Sequence, residues 1–139
     1  MKKLILKIIS QDKKLLETEA DSVSVPTAEG EVTILPKHMP LFSKLQTGEL
    51  KYKRDGQVES VVVANGFMDV NPDNEVVIMV DTATLERDLS AARAQQAIAD
   101  AKKTMETSAD QRELILAEAE LRRAMWELRV AQKSKKARI

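Results

Sequence analysis

Cysteine is absent from this 139-residue chain. That excludes disulfide staples, thiolate metal sites and a cysteine nucleophile together. A single histidine, His38, excludes a multi-histidine metal centre. Aromatic side chains make up only 3% of the chain (Phe42, Tyr52, Phe67 and Trp126), too few for a base-stacking surface, so no nucleic-acid partner is expected. No apolar run approaches the ~18 residues of a membrane span, so direct insertion into a membrane is not expected either. The opening Leu4-Ile5-Leu6 imitates a signal peptide, but Lys7 interrupts it and no small-residue cleavage site follows. The chain therefore reads as cytosolic, or peripheral to a membrane through a partner.

The common motifs of chemistry are missing as well. There is no Gly-x-x-x-x-Gly-Lys-Ser/Thr loop, no Gly-x-Gly-x-x-Gly fingerprint and no Gly-x-Ser-x-Gly elbow. The carboxylates are scattered over turns and helix faces, and nothing pairs them for acid–base work. A non-catalytic chain without metal or cofactor is expected. His38 lies in Pro36-Lys37-His38-Met39-Pro40, an irregular exposed loop. Lone loop histidines are ordinarily surface residues; the functional alternative is a contact residue or a base.

What is present is a folded composition, 43% hydrophobic and 32% charged, of a size for one domain or a small domain with an appendage. The formal charges cancel, but unevenly. Residues 1–83 carry 10 basic and 13 acidic side chains, and residues 84–139 carry 12 and 9. The surplus of cations gathers at Arg129, Lys133, Lys135, Lys136 and Arg138, with no acid after Glu127. Such a tip is ordinarily a solvated tail; alternatively it meets an acidic partner surface.

The hydrophobic pattern has two regimes. Up to about Asp81 the period is two, with turns between short runs. Strands are expected at Leu4–Ile9, at Val23–Val25 ended by Pro26, at Val32–Leu35 ended by Pro36, at Leu50–Lys53, Val58–Ala64, Phe67–Val70 and Glu75–Asp81. The last is almost wholly apolar and reads as buried on both faces. Asp55-Gly56 and Asn65-Gly66 read as turns, and all four glycines fall at breaks where positive φ is needed. Short strands punctuated this way predict an antiparallel β sandwich or barrel over 1–83.

From residue 84 onward glycine and proline vanish, and strong helix formers dominate. Ala91, Ala94, Ile98, Ala101 and Met105 form one apolar stripe. Leu114, Ala117, Leu121, Ala124, Leu128 and Ala131 form another. Ser108 with Gln111 reads as a capping box opening the second helix. The spacing predicts helices over about 88–106 and 109–133, folded into an antiparallel hairpin within 84–139. Alanine dominates both stripes. Small residues allow close approach but remove little apolar area, so the hairpin contact should be weak, on the order of a few kcal/mol net. Opened into one rod, residues 88–133 would span about 70 Å. On periodicity alone, a permanently closed coiled-coil appendage is the plainer reading. Trp126 lies off the seam and either covers the hairpin or serves as an exposed contact.

Four stretches carry a resemblance that spans the chain in order. Gly30-Glu31-Val32-Thr33-Ile34-Leu35-Pro36-Lys37-His38-Met39-Pro40-Leu41 resembles the signature loop of the ATP synthase epsilon subunit family. Asn65-Gly66-Phe67-Met68-Asp69-Val70 resembles its second marker. Asp88-Leu89-Ser90-Ala91-Ala92-Arg93-Ala94 and Glu118-Ala119-Glu120-Leu121-Arg122-Arg123-Ala124 resemble its two helices. The resemblance implies a β sandwich or flattened barrel of about ten strands, followed by a two-helix hairpin. It also implies a non-catalytic rotor subunit at the foot of the central stalk of the proton-driven enzyme. That subunit would be peripheral on the cytoplasmic face of the energy-coupling membrane.

Its implied partners are the gamma subunit, the polar loops of the c-ring and, with the hairpin extended, the beta and alpha subunits. The extended hairpin would obstruct hydrolysis. By the same resemblance, Glu31 and His38 match c-ring contacts. Arg122, Arg123, Arg129 and Lys133 would approach an acidic segment of the beta subunit. Some members of the family bind ATP through Ile/Leu-Asp-x-x-Arg-Ala. Here Leu89, Arg93 and Ala94 match, Ser90 replaces the acid, and Glu127 stands where nucleotide-binding members carry arginine, so weak or absent ATP binding is expected. The rival reading is a free-standing β-sandwich adaptor or chaperone with a coiled-coil arm.

Overall fold

The computed structural model describes residues 3–11 and 13–137, with side chains placed up to Lys133. Of the basic tip, Lys135, Lys136 and Arg138 lie outside the described side chains. The chain divides into two compact units, residues 1–83 and 84–139.

Among the described residues there are eight strands: β1 (Leu4–Ser10), β2 (Lys13–Ala20), β3 (Ser22–Thr27), β4 (Gly30–Ile34), β5 (Leu41–Leu45), β6 (Gly48–Arg54), β7 (Gln57–Val70) and β8 (Glu75–Leu85). They hydrogen-bond in the order β2-β1-β8-β7-β5-β3-β4, and β6 joins β3 and β7. The pairs are antiparallel except β1 with β8, which is parallel. Inward residues close one core: Leu4, Leu6 and Ile8 from β1, Val23 and Val25 from β3, Leu50 from β6, Val63 and Met68 from β7, and Val76 and Ile78 from β8 are all buried.

The resemblance implies about ten strands, and one of the differences is that β7 is continuous through Asn65-Gly66, where a turn was expected. Val58–Val63 pair with β6, and Gly66–Val70 pair with β5, so one 14-residue strand serves both layers. Asn65 (φ 42°) bends it. Gly66 is required there for a different reason from the one expected. Its φ is not left-handed, but a Cβ on it would stand 2.0 Å from the Met79 carbonyl oxygen. The backbones of β7 and β8 can approach only without that carbon. Of the glycines, Gly30 and Gly56 do take positive φ. With Asp55 (φ 51°), Gly56 makes the expected Asp-Gly hairpin between β6 and β7.

Two further expectations change. β3 runs through Pro26 to Thr27, since a proline near a strand end removes little of the ladder. β8 alternates rather than being buried on both faces: Val76, Ile78 and Val80 point inward, while Met79 is exposed.

A short 3₁₀ turn (Glu86–Asp88) precedes α1 (Ala91–Thr107), and α2 spans Gln111–Ala137. Ser90 caps α1 by accepting the Arg93 amide at 3.2 Å. The cap of α2 is Asp110, whose Oδ1 accepts the Arg112 amide at 3.0 Å, not Ser108. Ser108 instead closes α1 through its amide and donates its hydroxyl to Glu113 at 2.6 Å. The buried seam positions are all alanine: Ala94, Ala101, Ala117 and Ala124. Ile98, Leu114, Leu121 and Leu128 are half-buried beside them, and Met105, expected on the seam, is exposed. Val130, outside the stripes, is buried as well.

Candidate functional site

The outer surface of the β unit has two characters. On the β1–β8–β7–β5 side, Ile5, Met79, Phe67 and Phe42 point outward and are exposed. Phe42 and Phe67, the two phenylalanines of the chain, stack with ring centroids 5.6 Å apart while remaining 65% and 46% exposed. On the β4–β3–β6 side the outward groups are polar. The Ser24 and Thr33 hydroxyls meet at 3.0 Å, Lys51 lies 3.8 Å from Glu31, and Ser60 donates to Glu49. Exposed stacked aromatics are unfavourable in water unless something covers them, at about 1.5–3 kcal/mol for each such side chain fully buried.

The loop after β4 is tethered from a distance. Lys37 is left-handed (φ 67°), and its amide donates to Asn74 Oδ1 at 2.7 Å. The Asn74 carbonyl accepts the Ile5 amide at 2.8 Å, and Asn74 is itself left-handed (φ 61°). His38 is half-buried, and its Nδ1 donates to the Met39 carbonyl at 2.7 Å, which places the proton on that nitrogen. Met39 is 79% exposed. Beside this loop, Lys7 bridges Glu75 at 2.7 Å, and Asn71 Nδ2 donates to Glu75 at 2.9 Å. These two donors hold the Glu75 carboxyl below the usual carboxylate range, and the same bond raises the Lys7 ammonium. Glu31 is not part of this cluster. It sits at the start of β4, about 13 Å of strand away from the loop that holds His38.

On α2, helical spacing puts Arg122, Arg129 and Lys133 in one row, with Trp126 among them. Arg122 pairs with Glu118 at 2.8 Å, and the Arg129 guanidinium lies 4.4 Å from the Trp126 ring centre. The half-buried Trp126 is therefore the platform of a cation–π contact. Arg123 leaves the row for the hairpin's flank, bridging Glu120 at 2.5 Å and Glu127 at 3.5 Å. Its Nε is buried without a partner. A cavity of about 320 Å³ opens there, lined by Asp88, Ser90, Arg93, Ala94, Arg123 and Glu127. Arg93 and Ala94 of the nucleotide-motif remnant reach it, but two carboxylates balance its two arginines.

Among the described residues, no three His, Asp or Glu side chains converge as a metal site requires. No described helix is long and apolar enough to cross a membrane. Sequence reasoning missed the Phe42–Phe67 stack and Asn74. The available signal for Asn74 was the Asn-Pro-Asp-Asn run, because asparagine is among the few residues that accept left-handed backbone.

Comparison with known proteins agrees with this architecture. Residues 3–86 match the family described as ATP synthase, Delta/Epsilon chain, beta-sandwich domain. The ATP synthase epsilon chain of Herpetosiphon aurantiacus is 40% identical over 127 residues, covering 91% of this chain and 93% of that one. That of Dehalococcoides mccartyi is 42% identical over 141 residues, covering 98% and 97%. Among solved structures, a chain of the Euglena gracilis mitochondrial ATP synthase superposes with a TM-score of 0.72 at 24% identity, over 86% of this chain and 76% of that one. A chain from the central stalk and c-ring of the Tetrahymena thermophila enzyme gives 0.64 at 15%, over 94% and 97%. These two likenesses speak for the fold, and the sequence relatives for the lineage: the chain belongs to the ATP synthase epsilon chain family.

Proposed function

We propose that the chain is a non-catalytic rotor subunit of a proton-translocating ATP synthase. It joins the gamma subunit of the central stalk to the c-ring, peripheral on the cytoplasmic face of the membrane, and its hairpin restrains ATP hydrolysis. The observation that carries the reading is the uncovered apolar side of the β unit, with Phe42 stacked on Phe67. Exposed aromatics interleaved with Lys44 and Asp69 on one sheet face fit a protein partner, and gamma is the partner proposed for it. The His38 loop and Glu31 are the proposed ring contacts. They flank β4 from opposite ends, so both can touch the ring only if that strand lies along its surface.

The hairpin supplies the regulatory half. Its fully buried seam positions are alanine, with Ile98, Leu114, Leu121 and Leu128 only half-buried beside them, so separating the helices forfeits less apolar contact than a seam of fully buried large side chains would. The Arg122, Arg129 and Lys133 row offers cations to an acidic segment of the beta subunit, with Arg123 beside it. Charge-assisted contacts of that kind favour the extended arm only if they exceed the packing given up. The test is reconstitution of the complex with residues 88–139 removed, which leaves β8 whole. Hydrolysis should rise while gamma still co-purifies. Unchanged hydrolysis defeats the inhibitory half. Phe42→Glu with Phe67→Glu should abolish co-purification of gamma, and retention would defeat the stalk half.

A further inference from the structure

We infer that Asn74 is the positioning residue of the Pro36–Pro40 loop: it holds the loop's backbone in the shape that presents His38 and Met39. The inference rests on the reading of this loop as a ring contact. Pro36 and Pro40 have no amide hydrogen, and the His38 amide is used within the loop, bonding the Leu35 carbonyl at 3.1 Å. Among the described residues, the Lys37 amide makes the loop's one hydrogen bond to another segment, and its acceptor is Asn74 Oδ1 at 2.7 Å. Lys37 is also the strained point, since a lysine at φ 67° is uncommon and persists only where its surroundings require it.

Asn74 can serve because of its own backbone. At φ 61° it turns its side chain toward the loop while its carbonyl takes the Ile5 amide at 2.8 Å. One residue thus ties the contact loop, the β7–β8 turn and the start of β1. Asparagine combines tolerance of left-handed backbone with a side-chain acceptor. Glycine matches the first property only, and aspartate matches both.

That difference makes the test. In the full chain, Asn74→Gly should speed hydrogen exchange of the Lys37 amide about tenfold, read by NMR, while the Leu6 and Ile78 amides of the core keep their rates. Asn74→Asp should restore the Lys37 rate. An unchanged Lys37 rate in the glycine variant, or equal acceleration of the core, overturns the positioning role. The same variants are then compared for association of the gamma-bound chain with purified c-ring. Weaker association for Asn74→Gly, rescued by Asn74→Asp, supports the contact role of the loop. Faster exchange with unaltered ring association would leave Asn74 as the anchor and remove the ring contact from this loop.

Discussion

The Lys7 ammonium stands 2.7 Å from the Glu75 carboxylate across β1 and β8, the parallel pair in an otherwise antiparallel unit. A carboxylate held below its usual range contributes stability above its unfolded-state pKa and loses it as pH falls through the lower folded value. A raised lysine contributes below its unfolded value and loses it as pH rises through the higher folded one. Both contributions are therefore present at neutral pH. Glu75→Gln should lower Tm at pH 7, and the gap from the parent chain should close as pH drops below about 4. A gap that persists at about pH 3 would assign the effect to packing instead.

Gly66 supports a sharper prediction, because its clash is with backbone. The Met79 oxygen would lie 2.0 Å, and the Val80 Cα 2.8 Å, from an added Cβ, and neither can rotate away. Gly66→Ala should destabilise by roughly 2 kcal/mol or more, read as a lower urea midpoint with an unchanged m-value. Asn65→Gly, at φ 42°, should be close to neutral. Equal effects from the two would locate the bend's requirement in the turn chemistry rather than in the approach of the two strands.

These two sites show where the sequence was legible. Asp55-Gly56 worked as a local signal because the whole turn is made by adjacent residues. Asn65-Gly66 has the same chemistry, but the neighbouring strand decides its conformation, and no local pattern records a partner 13 residues on. β2 was invisible for a related reason: among the described residues, Lys13–Ala20 has β1 as its one ladder partner and buries only Ala20, so no alternation is written into it. β5 places Phe42 and Lys44 outward and Leu41, Ser43 and Leu45 inward, so each face mixes apolar and polar residues and the sequence shows no period of two. Among the candidate contact residues, polar side chains such as His38 and the α2 arginines could be seen as residues. The Asn74–Lys37 bond, 37 residues apart in sequence, could not.

The alanine seam predicts how the arm responds to bulk. Ala101 and Ala117 are buried where the helices meet, so Ala101→Leu with Ala117→Leu must push them apart, at about 1–3 kcal/mol per overpacked site. The helices themselves should survive. Far-UV circular dichroism should keep its helical signal, while spin labels at Gln96 and Gln132 move apart. In the reconstituted complex, hydrolysis should fall, since the closed arm has been weakened and the extended one has not. Ile115→Leu, at a 62% exposed position, is the control and should change neither readout. Faster hydrolysis in the leucine pair would reverse the proposed direction of the brake.

The cavity beside Ser90 bears on whether a nucleotide sets the arm's position. Ser90 spends its hydroxyl on the Arg93 amide, and Arg123 is bridged by Glu120 and Glu127, so one of the two cavity arginines that a triphosphate would need is already paired with carboxylates. A triphosphate entering there would face Asp88 and Glu127 with like charge. Titration calorimetry of the full chain with Mg-ATP should therefore give no saturable heat at micromolar nucleotide. Glu127→Arg reverses the sign of that wall, and combined with Ser90→Asp it should introduce measurable binding and raise Tm with nucleotide concentration. Micromolar affinity in the parent chain would mean that the internal pairs open readily and that Glu127 is no barrier. No gain in the double variant would move the obstacle from charge to the shape of the cavity.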